Sequence, residues 1–238
     1  MVNIKMSEVF DSTKTKEIIY KNVRAKVRPN TSDAFIVEEV IGGTYRKLNI
    51  QTDDVVVDIG LNIGMFVIWA LLQGANRVYA FEAEPQNYNL ALQNVALNEL
   101  SAKATLYNQA VIGTNEKTRN FAINLHRNKG AHSLVPKRGR HKMIVDCVNI
   151  NKVLADINPT VVKMDIEGGE YECLKATKTF DGIRELILEF HHAHLNDIKT
   201  HEKYNEILSL LRSRFSTVEA RNSEDIGGAW TGLIYCKA

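Results

Sequence analysis

Two groups of ionisable residues stand at the ends of apolar runs, where chemistry would need them. One is Asp165-Ile166-Glu167-Gly168-Gly169-Glu170, directly after Val161-Val162-Lys163-Met164. The other is Glu189-Phe190-His191-His192-Ala193-His194, which closes the run that starts at Glu185. An acid ending an apolar strand is costly unless it is hydrogen-bonded or used. Strand alternation puts Glu189 and His191 on one face and His192 and His194 on the other. An imidazole with a pKa of about 6.5 can serve as a general base. Acids and imidazole together could take the proton of a hydroxyl, or could hold a divalent cation such as Mg2+ or Mn2+ that acidifies it. The candidate catalytic residues are therefore Asp165, Glu189 and His191. The same three are the candidate metal ligands, although their spacing matches no fixed metal motif. The plainer readings are that Glu170 is a favourable charge at a helix N-terminus and that the histidines are polar loop residues.

A third group binds rather than reacts. Asp58-Ile59-Gly60-Leu61-Asn62-Ile63-Gly64 follows a β-branched run and opens onto the apolar pattern Met65 to Leu72. That is strand, tight turn and helix, the unit that places a ligand at the carboxyl end of a first strand. Glu82 comes 22 positions after Gly60, where an acid in nucleotide-binding folds accepts both hydroxyls of a ribose. A dinucleotide needs glycine-rich backbone beside its diphosphate. Here Asp58 and Asn62 crowd the loop, and an aspartate beside a diphosphate is electrostatically wrong. It suits a nucleoside with a cationic amino-acid end, and so S-adenosyl-L-methionine rather than NAD.

These groups need an alternating scaffold, and the chain supplies one from Asp53 onward. Strands are expected at Val55 to Ile59, Arg77 to Glu82, Lys103 to Tyr107, Thr160 to Asp165 and Glu185 to Phe190. Helices are expected at Met65 to Gln73, from Pro85 to about Asn98, at Asn151 to Ile157, Gly169 to Ala176 and His201 to Arg212. Pro85 sits where its missing N–H costs nothing. Phe121 to Leu125 and Met143 to Cys147 read as flanking strands or arms of an insertion. Phe215 to Ala220 and Trp230 to Cys236 read as a closing hairpin. The fold class is α/β, a single doubly wound Rossmann-like domain with a mostly parallel seven-stranded sheet and an antiparallel C-terminal edge hairpin. Residues 52–238 form this domain. Residues 1–51 form an N-terminal extension that packs on it or lids its crevice. Within the extension, Ser7 to Asp11 could be a short helix and Ala34 to Tyr45 a strand, with Pro29-Asn30 a turn between them. Ile36, Val37, Val40 and Ile41 have the spacing of a helix face ended by Gly42-Gly43.

Composition excludes more than it assigns. The chain has 238 residues and a net charge of +2, so bulk charge points to neither nucleic acid nor membrane. The three cysteines, Cys147, Cys173 and Cys236, are far apart and read as reduced thiols. No apolar run is long enough for a bilayer, and Met1 to Lys16 lacks the apolar core of a signal peptide. A soluble, cytoplasmic protein is expected.

Five segments together resemble the FkbM family of class I S-adenosylmethionine-dependent methyltransferases. They are Val-Val-Asp-Ile-Gly-Leu-Asn-Ile-Gly at 56–64, Ala-Phe-Glu-Ala-Glu-Pro at 80–85, Asn108-Gln109-Ala110-Val111, Lys-Met-Asp-Ile-Glu-Gly-Gly-Glu at 163–170 and Leu188-Glu189-Phe190-His191. The fourth is the specific one. Leu61 replaces the commoner alanine, a change of bulk alone. The resemblance implies O-methylation of a hydroxyl on a sugar, glycan, nucleotide-linked sugar or other small acceptor. It places the cofactor against Asp58, Gly60, Asn62, Gly64, Glu82, Ala83 and Asp165, with adenine near Asn108, Gln109 and Ala110. It also puts the basic, acid-free stretch His126 to Lys142 over the acceptor, with His132 and Ser133 near the cofactor.

As a solvated loop that stretch needs no explanation. As an acceptor site, its Arg127, Lys129, Lys137, Arg138 and Arg140 would recognise phosphate or another anion. A nucleic-acid methyltransferase is the alternative reading, and a non-catalytic cofactor-binding partner protein is another. Against nucleic acid, the stretch has no aromatics to stack bases. Asp165-Ile166-Glu167-Gly168 also replaces the Asn/Asp-Pro-Pro-aromatic loop of enzymes that methylate the exocyclic amines of bases.

Overall fold

A computed structural model describes residues 14–123, 141–192, 198–224 and 230–238. Strand β1 (Lys16–Tyr20) and strand β2 (Val23–Val27) form an antiparallel hairpin, followed by helix α1 (Asp33–Gly42). The Rossmann-like part begins with β3 (Val55–Ile59), α2 (Met65–Leu72), β4 (Arg77–Phe81), α3 (Pro85–Leu97) and β5 (Ala104–Tyr107). Three strands, β6 (Ala110–Ile112), β7 (Thr118–Ile123) and β8 (His141–Asn149), make a side sheet. Then come α4 (Ile150–Ile157), β9 (Val161–Met164), α5 (Glu170–Ala176), β10 (Glu185–His192), α6 (Ile198–Arg212), β11 (Thr217–Glu224) and β12 (Trp230–Lys237).

The main sheet has seven strands in the order β11-β12-β10-β9-β3-β4-β5. β3, β4, β5, β9 and β10 run parallel, and β12 is antiparallel to both β10 and β11. This is the fold class read from the sequence. The chain leaves β3 toward β4 on one side and returns as β9 on the other, so the switch in strand order lies between β3 and β9. Crevices for ligands open at such a point, at the carboxyl ends of the strands. The central strands are apolar on both faces because helices cover both, and Val56, Val57 and Ile59 are all fully buried.

Helix α2 explains the N-terminal residues. It reads Met-Phe-Val-Ile-Trp-Ala-Leu-Leu, apolar all round, and seven of its eight residues are buried. The sheet covers only one face of a helix, so a second layer has to cover the other. The β1–β2 hairpin and α1 provide it, and Tyr45 packs edge-on against Phe66 with ring centroids 4.9 Å apart. Polar anchors fix this layer. Asn94 of α3 accepts the Lys26 N–H at 2.7 Å and donates to the Ile63 carbonyl at 2.9 Å. Arg28, buried against Asp33, donates to Asn87 Oδ1 at the start of α3.

α1 is a helix closed by Gly43, at φ 123°; of the two readings of Ala34 to Tyr45 the helix face holds and the strand does not. β1, β2 and β6 were not read from the sequence, although β2 alternates buried with more exposed positions. The expected arms of the insertion are β7 and β8, which pair antiparallel. Arg119 of β7 clamps them to α5 through Glu172 at 2.7 Å. The closing hairpin is β11 and β12. Ser7 to Asp11 and the acceptor residues His132, Ser133, Arg138 and Arg140 lie outside the described residues. So does His194. Among the described residues no helix is long and apolar enough to cross a membrane. Cys147, Cys173 and Cys236 are free thiols.

Candidate active site

The loop after β3 is shaped by close backbone approach. Gly60 has φ 94° and Gly64 φ 90°, and Asn62 adopts the left-handed region at φ 51°. A Cβ on Gly60 would sit 1.8 Å from the Asp165 carbonyl oxygen, so only glycine fits between the two strand ends. The Asp165 N–H donates to the Ile59 carbonyl at 2.8 Å, tying β9's end to the loop. One on Gly64 would press on Ala91 of α3 at 3.2 Å.

Glu82, at the end of β4, accepts the Asn62 N–H with one carboxylate oxygen and the Glu84 N–H with the other, both at 2.8 Å. Each oxygen keeps a further lone pair for a ligand hydroxyl. Burial pushes its pKa up to about 7, against the pull of those two amides. Asn108 holds the neighbouring backbone by donating to the Glu82 and Ala83 carbonyls at 2.8 and 3.2 Å. The Asn62 Oδ1 is buried with no hydrogen-bond donor, a polar atom that a ligand would satisfy.

These groups meet in one cleft. Of the cofactor residues expected from the sequence, Gly60, Asn62, Glu82, Ala83, Gln109, Ala110 and Asp165 line it. Asp58, Gly64 and Asn108 are not among its lining residues. Phe81, Asn87, Val111, Phe121, Ile166 and Glu167 line it too and were not singled out in advance. Apolar strand-end positions look like core until the fold shows which ends face the crevice.

Asp58 is fully buried, with Lys163 Nζ 3.1 Å from Oδ1. Lys163 also donates to the Gly60 carbonyl at 2.6 Å and lies 4.0 Å from Asp165. Burial raises the Asp58 pKa to about 6; Lys163 opposes the rise and Asp165 adds to it. Burial disfavours the Lys163 ammonium, but Asp58, Tyr45 and Asp165 outweigh it and hold its pKa well above the usual lysine value. Lys163 was read only as part of an apolar strand. Its signal was a lone cation in that run, two residues before an acid.

The reactive cluster is built around His191. Its Nδ1 lies 3.1 Å from Glu170 Oε1, and its Nε2 lies 3.9 Å from Asp165, 3.8 Å from Glu167 and 4.0 Å from Glu189. The structure thus gathers the three expected residues and adds Glu167 and Glu170. Burial lowers the affinity of the ring for its proton, but Glu170, Glu167 and Asp165 prevail and raise the pKa well above 6.5. Ligand atoms of Asp165, Glu170 and His191 lie within 4.8 Å of one another, close enough to hold a small cation. Glu170 Oε1, however, already faces His191 Nδ1 and accepts the N–H groups of Ile166 and Gly168 at 3.0 and 3.2 Å.

No curated protein matches this sequence at a significant level. Among solved structures, TYW2 of M. jannaschii in complex with AdoMet is 14% identical with a TM-score of 0.54, covering 94% of this chain and 85% of that one. TYW2 of P. horikoshii in complex with MeSAdo is 13% identical with a TM-score of 0.53, covering 94% and 70%. A complex of aTrm5 with a leucine tRNA is 12% identical with a TM-score of 0.51, covering 94% and 52%. At these identities the likeness is one of fold. The sequence model of the methyltransferase FkbM domain matches residues 58–216, more than half of the chain. The chain belongs to the FkbM methyltransferase family.

Proposed function

We propose that this protein transfers a methyl group from S-adenosyl-L-methionine to a hydroxyl of a sugar, nucleotide-linked sugar, glycan or other small hydroxylated acceptor. The observation that carries this reading is the paired wall of one cleft. Glu82 presents free lone pairs to a ribose on one side, and on the other stands Asp165, 3.9 Å from His191, which lies behind the lining residues. The orphaned Asn62 Oδ1 supports it by offering an acceptor to a donor group such as an ammonium or hydroxyl. The acids around the cleft suit a cofactor that carries cationic sulfur and nitrogen and no phosphate.

When bound, the cofactor supplies an electrophilic methyl group on a sulfonium. The chain's own residues do the rest. Glu82 holds the ribose end, the Gly60 turn fixes the loop against Asp165, and Asp165 with Glu189 or His191 orients the acceptor hydroxyl and removes its proton. Arg138 and Arg140, with His132 and Ser133, bind the acceptor. A divalent cation such as Mg2+ or Mn2+ among Asp165, Glu189 and His191 is the competing use of the cluster. The ligand atoms that come within 4.8 Å of one another are those of Asp165, Glu170 and His191, without Glu189. Glu170 Oε1 is already filled by donors, which favours the proton-transfer use, and turnover that survives EDTA decides for it.

The test is a screen of hydroxylated acceptors with S-adenosylmethionine, read by mass spectrometry for one added methyl group. Asp165→Asn should lose turnover while still binding S-adenosylhomocysteine; near-normal turnover would sink the assignment. An RNA acceptor with steeply salt-dependent affinity would move the reading to nucleic acid.

A further inference from the structure

Glu170 does more than place a negative charge at a helix start. It is the first residue of α5, only 1% exposed, and its carboxylate turns back on the segment before the helix. Oε1 accepts the Ile166 N–H and Oε2 accepts the Gly168 N–H at 2.9 Å, so the group is fixed on both sides. From that position Oε1 meets His191 Nδ1 at 3.1 Å, across from another strand. A carboxylate can only accept here, so in the neutral ring Nδ1 carries the hydrogen and Nε2 keeps its lone pair. Nε2 points the other way, beside Asp165 and Glu167, both of which line the cleft. At 3.8–4.0 Å its carboxylate neighbours are too distant for hydrogen bonds. His191 itself is not among the lining residues, and its Nε2 reaches the cleft only alongside Asp165 and Glu167. An acid that orients an imidazole is part of the arrangement that activates hydroxyl groups in unrelated enzymes.

We propose that Glu170 is a positioning residue that holds His191 in the tautomer whose Nε2 takes the acceptor's proton, an assignment that rests on the methyl-transfer reading above. In that step the acceptor oxygen bonds to the methyl carbon while the carbon–sulfur bond breaks. Sulfur keeps the electron pair, and the oxygen's proton passes to Nε2, giving methyl ether, S-adenosylhomocysteine and imidazolium. The charged groups facing the ring are Glu170 from α5, Asp165 and Glu167 from the turn after β9, and Glu189 from β10. Lys163 stands behind Asp165. The four acids favour the protonated ring, so turnover should rise with pH along a limb above the ordinary histidine value.

Glu170→Ala tests this. It removes the oxygen that Nδ1 faces, so nothing holds the hydrogen on Nδ1 and the ring returns to the Nε2–H form that a free imidazole prefers. Nitrogen-15 correlation spectra of labelled histidine, with His191 assigned by the peak missing in His191→Gln, read the tautomer without any acceptor. The expected result is Nδ1–H in the neutral wild-type ring and Nε2–H in Glu170→Ala. With an acceptor, turnover should fall about 10²–10⁴-fold, KM and S-adenosylhomocysteine affinity should hold, and the remaining pH limb should move to lower pH. A wild-type ring carrying Nε2–H, or an unchanged tautomer in the variant, overturns the proposal. If Glu170→Ala does not fold, His191→Gln decides: it leaves the Glu170 turn intact, and wild-type turnover would refute the role. A chain that methylates its acceptor normally without His191 keeps the methyl-transfer reading and loses this one. A wild-type chain that binds no S-adenosylhomocysteine loses the reading beneath it.

Discussion

Replacing Gly60 by alanine should separate the loop after β3 from the end of β9. The added Cβ would stand 1.8 Å from the Asp165 carbonyl oxygen, whereas a carbon and an oxygen rest about 3.3 Å apart or more. One strand end must therefore retreat by roughly 1.5 Å. The position also has φ 94°, and holding an L-residue in such a region costs about 1–3 kcal/mol. Overpacking adds about 1–3 kcal/mol. A loss of about 2–6 kcal/mol is a large share of the roughly 5–15 kcal/mol that holds a domain folded. For a chain of this size it should lower Tm by about 5–20 °C.

Gly74→Ala is the internal control. It has φ 111°, but the nearest atom to its new Cβ is Thr52 Cγ2 at 3.9 Å, so it suffers the backbone strain without the collision. Calorimetric melting of both variants, with titration of S-adenosylhomocysteine, gives the comparison. Gly60→Ala should melt well below Gly74→Ala and lose cofactor affinity by about tenfold or more, since a shift of this size is worth up to about 10²-fold at a positioned site. Equal melting temperatures with unchanged affinity would refute the claim that this contact sets the loop.

Three further outcomes follow from buried groups. Glu82 titrates at about 7 and would receive ribose hydroxyls best as a carboxylate, so S-adenosylhomocysteine affinity should weaken as pH falls below about 7 and level off above it. Calorimetry from about pH 5.5 to about 8 checks this, and a flat profile, or one that survives Glu82→Gln, contradicts it. Lys163→Met leaves the Asp58 carboxylate without its cation at a cost of about 3–5 kcal/mol. Asp58 already has a pKa raised above its unfolded value, so the folded state holds the extra proton and stability falls as pH rises. The variant should therefore be hurt more at pH 8 than at pH 5, and denaturant midpoints showing the reverse would dismiss the pairing. Asn94→Ala strands the Lys26 N–H and the Ile63 carbonyl. At about 1–3 kcal/mol for each orphaned buried group, it should loosen the β1–β2 hairpin, seen as early amide exchange at Lys26.

Much of this was legible in residue types. Helix α2, apolar on every face, required a covering layer that its sheet could not provide, although no short pattern within residues 14–50 named a hairpin. The spacing of Glu189 and His191 put them on one face, and they do converge, at 4.0 Å. Lys163 and Glu170 were read incompletely for the same reason, although Glu170 does stand as a charge in the first turn of α5. Each was read from its own segment, as part of an apolar strand and as a helix-start charge, while its partners lie on other elements.

By itself the sequence determined the alternation of strands and helices, and with it the parallel sheet and the crevice at its switch point. Those follow from local periodicity and from right-handed crossovers, which leave few other arrangements. It also marked Asp58, Gly60, Asn62 and Glu82, because a tight turn and an acid one strand later are local features. Only the tertiary structure decided what the acids do. Glu170 meets His191 across 21 positions of chain, and Lys163 meets Gly60 across 103. Whether a buried charge is a helix cap, a counter-ion or the orienting partner of an imidazole depends on what lies within about 3 Å of it, and sequence spacing holds no record of that distance.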